Sequence, residues 1–143
     1  MTTVQRGALW VLVVASGTVG LWALAAPRSF YDDFPGLGRV WVAVDGPFNE
    51  HLVRDVGALN LALAFVAAMA LATGSVLVAR AAGGAALIYG VPHLAYHAFN
   101  QEGFDTGDSV AMLGGLAFTV VAAIVALGGR DAPAEVRGGT LEG

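Results

Sequence analysis

Ser109–Leu127, SVAMLGGLAFTVVAAIVAL, runs for 19 residues without an Asp, Glu, Lys or Arg. At about 1.5 Å per residue, a helix of that length covers roughly the 30 Å of bilayer hydrocarbon. Three further charge-free stretches precede it, Gly7–Ala26, Val56–Ala72 and Ala81–Phe99, of 20, 17 and 19 residues. The 17-residue stretch is only just long enough. Inside hydrocarbon an isolated segment must satisfy its own backbone hydrogen bonds, so each is expected to be a helix. The alternation of a membrane β-strand is absent. The expected fold is therefore all-α, a transmembrane four-helix bundle over residues 1–127. Its outer loop spans 27–55, and a flexible cytoplasmic tail follows at 128–143.

Composition excludes the main alternatives. The 143 residues are 57% hydrophobic and 13% charged, against about 25% charged in a soluble domain. The formal charge is −4 and the seven basic residues, all Arg, form no basic patch, which removes disordered tails and nucleic-acid binders. With no Cys there are no disulfides, thiolate metal sites or thiol chemistry.

Punctuation supports the span limits. Pro27 follows the first span, Gly74 the second, and Gly128-Gly129 the fourth, where a left-handed cap is easiest. Asp105 and Asp108 suit the positive end of the fourth helix dipole. One side of the membrane carries Arg6, Arg80, Arg130 and Arg137, and the other Arg28, Arg39 and Arg54 with eight acids. The vote of 4 to 3 places both termini in the cytoplasm of a multi-pass inner (plasma) membrane protein. Arg6, the first apolar run and Ala23-Leu24-Ala25 resemble a signal peptide, but the run is long for an h-region and Trp22 interrupts the small-residue approach. An uncleaved anchor is expected. Small residues recur at Ser16/Gly20, Ala64/Ala68/Ala72, Ala82/Ala86/Gly90 and Ala111/Gly115, a spacing that either lets helices approach closely or follows from the Ala/Gly bias alone.

The chemistry-bearing residues collect at one face. His93 and His97 lie one turn apart at the end of the third span, with Tyr89 a turn below, Tyr96 beside and Asn100 beyond. Pro92 should kink or widen that helix. If the second helix begins near Asn49, His51 and Asp55 share a face with Arg54 alongside. One reading is an outward-opening polar pocket of His51, Arg54, Asp55, His93 and His97, with Tyr89, Asn100 and Glu50 nearby. His51, His93 and His97 would be the ligands of a Zn²⁺ or Cu²⁺ ion. A b-type haem would need His51 opposite the other two, and His51 lies too shallow. The plainer reading is a hydrogen-bonded network without a cofactor, tying the second helix to the third. In the first loop Phe30, Tyr31, Phe34, Trp41 and Phe48 mix with acids, as in a headgroup-level anchor or a lid. Asn60 is expected to make an interhelical hydrogen bond. No P-loop, G-x-S-x-G, H-E-x-x-H or dinucleotide fingerprint occurs, and no span buries a charge for ion pumping.

Three blocks, Arg28–Gly36, Gly46–Gly57 and Pro92–His97, resemble a group of small four-span membrane proteins from actinobacteria, similar in outline to DoxX-like proteins. The resemblance implies a four-helix bundle; DoxX itself is associated with quinone-linked sulfur oxidation, and no residue here carries that over. Two functions stay open. The first is a non-catalytic accessory, assembly or lipid-binding role, with the bilayer, a membrane-protein partner or a second copy as partner. The alternative is a metal- or quinone-dependent membrane oxidoreductase with its site at the extracytoplasmic face.

Overall fold

The computed structural model describes residues 1–128, so the expected tail lies outside the described residues beyond Gly128. The helices are α1 (Thr3–Ala25), α2 (Pro27–Asp33), α3 (Glu50–Thr73), α4 (Val76–Phe99) and α5 (Thr106–Leu127). All but α2 are long and apolar enough to cross a membrane, and the all-α, four-span architecture is present.

The four long helices start earlier than their charge-free stretches, by 4, 6, 5 and 3 residues. Capping is the reason. Thr2, Asn49, Ser75 and Asp105 each accept from the N–H three residues on, at 3.1, 3.1, 3.3 and 2.8 Å. Each cap satisfies one of the orphan donors of a helix start, and nothing in that chemistry excludes charge from the first turn. Glu50, Arg54, Asp55, Arg80 and Asp108 thus become helical. At the other ends, Gly74 closes α3 with φ 67, in the left-handed region where a side chain is strained. Gly128 differs from expectation: its φ of −76 is right-handed, and its N–H simply continues the helical pattern to the Ile124 carbonyl. Pro27 ends α1 and opens α2, where its missing N–H costs nothing. α4 runs unbroken through Pro92.

The bundle is a ring in the order α1, α3, α4, α5, with α1/α3 and α4/α5 as the tightest pairs. Those pairs approach on glycine. An added methyl at Gly57 would lie 2.6 Å from the Leu24 nitrogen, and one at Gly83 2.6 Å from the Ala123 carbonyl oxygen. Of the expected small-residue rows, Gly20, Ala64 and Ala82 are buried, but Ala68, Ala72, Ala111 and Gly115 are exposed. At the end carrying the 74–75 turn the four helices close on one another through Ala8, Leu9, Leu12, Ala67, Ala70, Ala79, Ala82, Ala122, Ala123 and Ala126. Gln5 is buried there, its amide donating to the Ala126 carbonyl at 2.9 Å.

Towards the opposite end the pairs diverge and the first loop fills the top. Ala23, Phe30 and Val53 form a second buried cluster with Trp22, Phe34, Val42 and Phe48 packed against it. Phe30 and Phe34 rings stack at 4.7 Å, and Trp22 and Trp41 each meet Phe34 at 6.0 Å. A two-residue hairpin pairs Pro35–Gly36 with Arg39–Val40.

Candidate functional site

Where the helix pairs diverge they leave a cavity of about 1250 Å³, above the roughly 300–1,000 Å³ of ordinary small-molecule sites. Its walls are apolar over most of their area: Leu12, Ala15 and Val19 from α1, Val56 and Leu63 from α3, Ala86 and Gly90 from α4, Met112 and Leu116 from α5. Phe30, Phe34, Trp41, Val42 and Phe48 roof it. Small side chains on facing helices account for the space, because Ala15, Ala86, Gly90 and Gly115 cannot reach across it.

One line of polar groups runs down this apolar chamber. Tyr89, His93 and His97 follow at intervals of one turn and share a face of α4. The Nε2 atoms of His93 and His97 are 3.1 Å apart, so one carries the proton and the other offers its lone pair. Tyr89 meets the His93 ring edge-on at 5.2 Å. Asn60, buried ten residues into α3, donates from Nδ2 to the Val56 carbonyl at 2.9 Å and to the Tyr89 hydroxyl at 3.3 Å. That is the expected interhelical bond, and it ties α3 to α4 about 15 Å below the start of α3. Deeper still, Thr119 presents a hydroxyl bonded to the Leu116 carbonyl at 2.8 Å. His97 is buried with its Nδ1 lacking a hydrogen-bond partner, as is the Oε1 of Gln101, whose amide donates to the His97 carbonyl.

The remaining expected site residues lie elsewhere. His51 sits at the cavity mouth, 88% exposed, and meets Asp55 at 3.2 Å across one turn of α3. Arg54 turns to the other side, bonding Glu50 at 2.8 Å and the Leu24 carbonyl of α1. Asn100 donates to the Tyr96 carbonyl of its own helix at 2.7 Å. Arg54, Asp55 and Asn100 are not part of the cavity wall. Only His93, His97 and Tyr89 are brought together inside. Among the described residues no three His, Asp or Glu side chains are placed to hold a metal ion. His51 lies in the first, solvated turn of α3, and the helix turns Val53, Val56 and Asn60 inward instead.

Several features were not foreseen from the residues. Thr119 and Met112 belong to the wall, and Asp45 to the roof. A hydroxyl in the interior of a 19-residue charge-free stretch was the only signal for Thr119. The hairpin is fastened to α5 by one carboxylate, Asp108, which accepts from the Trp41 indole at 2.9 Å and from the Arg39 guanidinium. Arg28 sits over the Tyr31 and Phe48 rings at 5.5 and 5.1 Å, held charged by its bond to Asp32. Thr18 of α1 and Gly115 of α5, at mid-helix depth, both line the cavity and are both exposed.

Comparison with known family models, with curated proteins and with solved structures found no match for this chain.

Proposed function

We propose that this small polytopic membrane protein binds a membrane lipid in the cavity between its helix pairs, and that it serves a non-catalytic accessory or assembly role. The observation that carries the reading is a chamber of about 1250 Å³, apolar in its walls, with a descending line of polar groups on α4. A chain fits the walls, and a headgroup can bond the His93–His97 end. Such a molecule would enter from the bilayer between α1 and α5, where Thr18 and Gly115 line the cavity and are exposed. With both termini cytoplasmic, the roofed end faces the outside of the plasma membrane.

Native mass spectrometry of the protein extracted in mild detergent tests this. A single lipid-sized adduct is expected on the unmodified chain and its loss is expected in Thr119→Trp, which fills the cavity floor. Equal adducts on both proteins would contradict the reading. A second reading, a metal- or quinone-dependent oxidoreductase, draws support from the facing His93 and His97 nitrogens at 3.1 Å. Metal content and the visible spectrum of the same preparation distinguish it: stoichiometric metal or a quinone band favours the second reading.

A further inference from the structure

Resting on the lipid-binding reading, we infer that the cavity selects a lipid whose polar head is uncharged, a hydroxyl or carbonyl rather than a phosphate, carboxylate or ammonium. The charge inventory of the lining carries this: among the described residues no Arg lines the cavity, and the chain has no Lys. The guanidiniums at this end are each paired: Arg54 with Glu50 and the Leu24 carbonyl, Arg39 with Asp108, and Arg28, which lies over the Tyr31 and Phe48 rings of the roof, with Asp32. An anionic head would therefore enter a low-dielectric chamber with no counter-charge, which costs several times what a satisfied hydrogen bond returns.

The histidines do not change this. Their Nε2 atoms face each other at 3.1 Å, a contact that needs one N–H and one lone pair; it excludes a doubly cationic pair and is complete with both rings neutral, the condition under which selectivity is tested below. A cationic head fares no better in the interior. The two acids of the lining, Asp45 and Glu50, are exposed at the mouth, and Glu50 is already paired with Arg54. Below them the polar side chains of the lining, beyond the histidines, are the Asn60 amide, the Tyr89 phenol and the hydroxyls of Ser16, Thr18 and Thr119. Those groups are donors and acceptors matched to a neutral head. The mouth acids add a barrier of the wrong sign for anions, which acts on approach as well as on binding.

One chain with three heads tests the inference: geranylgeraniol, its monophosphate ester and the corresponding primary amine, each added to the detergent-purified protein at about pH 8, where an ordinary imidazole is neutral. Binding is followed by native mass spectrometry and by the shift in melting temperature. The alcohol should bind one to one and raise the melting temperature, with the phosphate and the amine bound about tenfold or more weakly. A phosphate or amine that binds as tightly as the alcohol overturns the charge selectivity while leaving a lipid site in place. If none of the three binds, or all bind Thr119→Trp as well as the unmodified protein, the lipid-binding reading itself is overturned.

Discussion

Replacing Gly57 with alanine tests how the bundle is held. The added methyl would meet the Leu24 nitrogen at 2.6 Å, the Ala23 carbonyl carbon at 3.1 Å and the Gly20 oxygen at 3.1 Å. All three belong to the backbone of α1, so no side chain can swing away. Ordinary carbon contacts lie near 3.5–4.0 Å, so the two helices must separate by roughly 1 Å at their crossing. That loosens the tightest helix pair in the molecule, where packing rather than a hydrophobic drive supplies the adhesion. Overpacking of this kind costs about 1–3 kcal/mol. Gly17→Ala, on the same helix pair with its nearest neighbour 4.0 Å from the new methyl, is the control and should be near neutral. Gly20→Ala strains the same crossing, its methyl 2.8 Å from the Leu61 nitrogen and 3.0 Å from the Gly57 oxygen. One separation relieves both, so the double variant should lose less than the sum of the singles. The assay is unfolding in mixed detergent micelles, followed by circular dichroism. Gly57→Ala as stable as Gly17→Ala, or strict additivity of the two crossing variants, would refute the reasoning.

Gly115→Trp should narrow the opening between α1 and α5 and slow loading of lipid from the bilayer, whereas Gly114→Trp, also exposed but outside the cavity wall, should not; vesicle-to-protein transfer of a fluorescent lipid measures both rates, and equal rates would count against that route. Asp108→Ala removes the acceptor shared by Arg39 and Trp41. Global stability should change little, as for ion pairs at a protein surface, yet amide exchange across residues 34–42 should quicken, and unchanged exchange would show that the roof is fastened otherwise. Gln5→Ala loses the buried bond to the Ala126 carbonyl and should lower stability by about 1–3 kcal/mol, with Gln5→Met, which restores volume, falling between it and the unmodified chain on the same unfolding curve.

The spans were legible in the sequence because hydrocarbon enforces a strong and simple rule, the absence of charge over a membrane's thickness. Their starts were not, since that rule stops at the first charged residue while Asn49, Ser75 and Asp105 cap helices that carry charge in their opening turns. His93, His97 and Tyr89 could be grouped from spacing alone, because a single helix fixes their relation. His51, Arg54 and Asp55 could be placed at the right depth but not at the right azimuth. A turn of 100° per residue sends Arg54 to α1 and leaves His51 beside Asp55 in solvent. The cavity is the least legible feature. It depends on which small residues face one another across the bundle: Gly20 lies in a small-residue row the sequence showed, but its partner Gly57 and the α4 glycine Gly83 lie outside every one.

A high-resolution experimental structure of the protein in lipid nanodiscs, with no ligand added, tests the central claim most directly. The account predicts elongated density along Leu12, Leu63 and Leu116, with its head against the His93–His97 pair and its flank visible between Thr18 and Gly115. Helices α1 and α5 closed together along their whole length, with the chamber collapsed onto Asn60 and Tyr89, would contradict it.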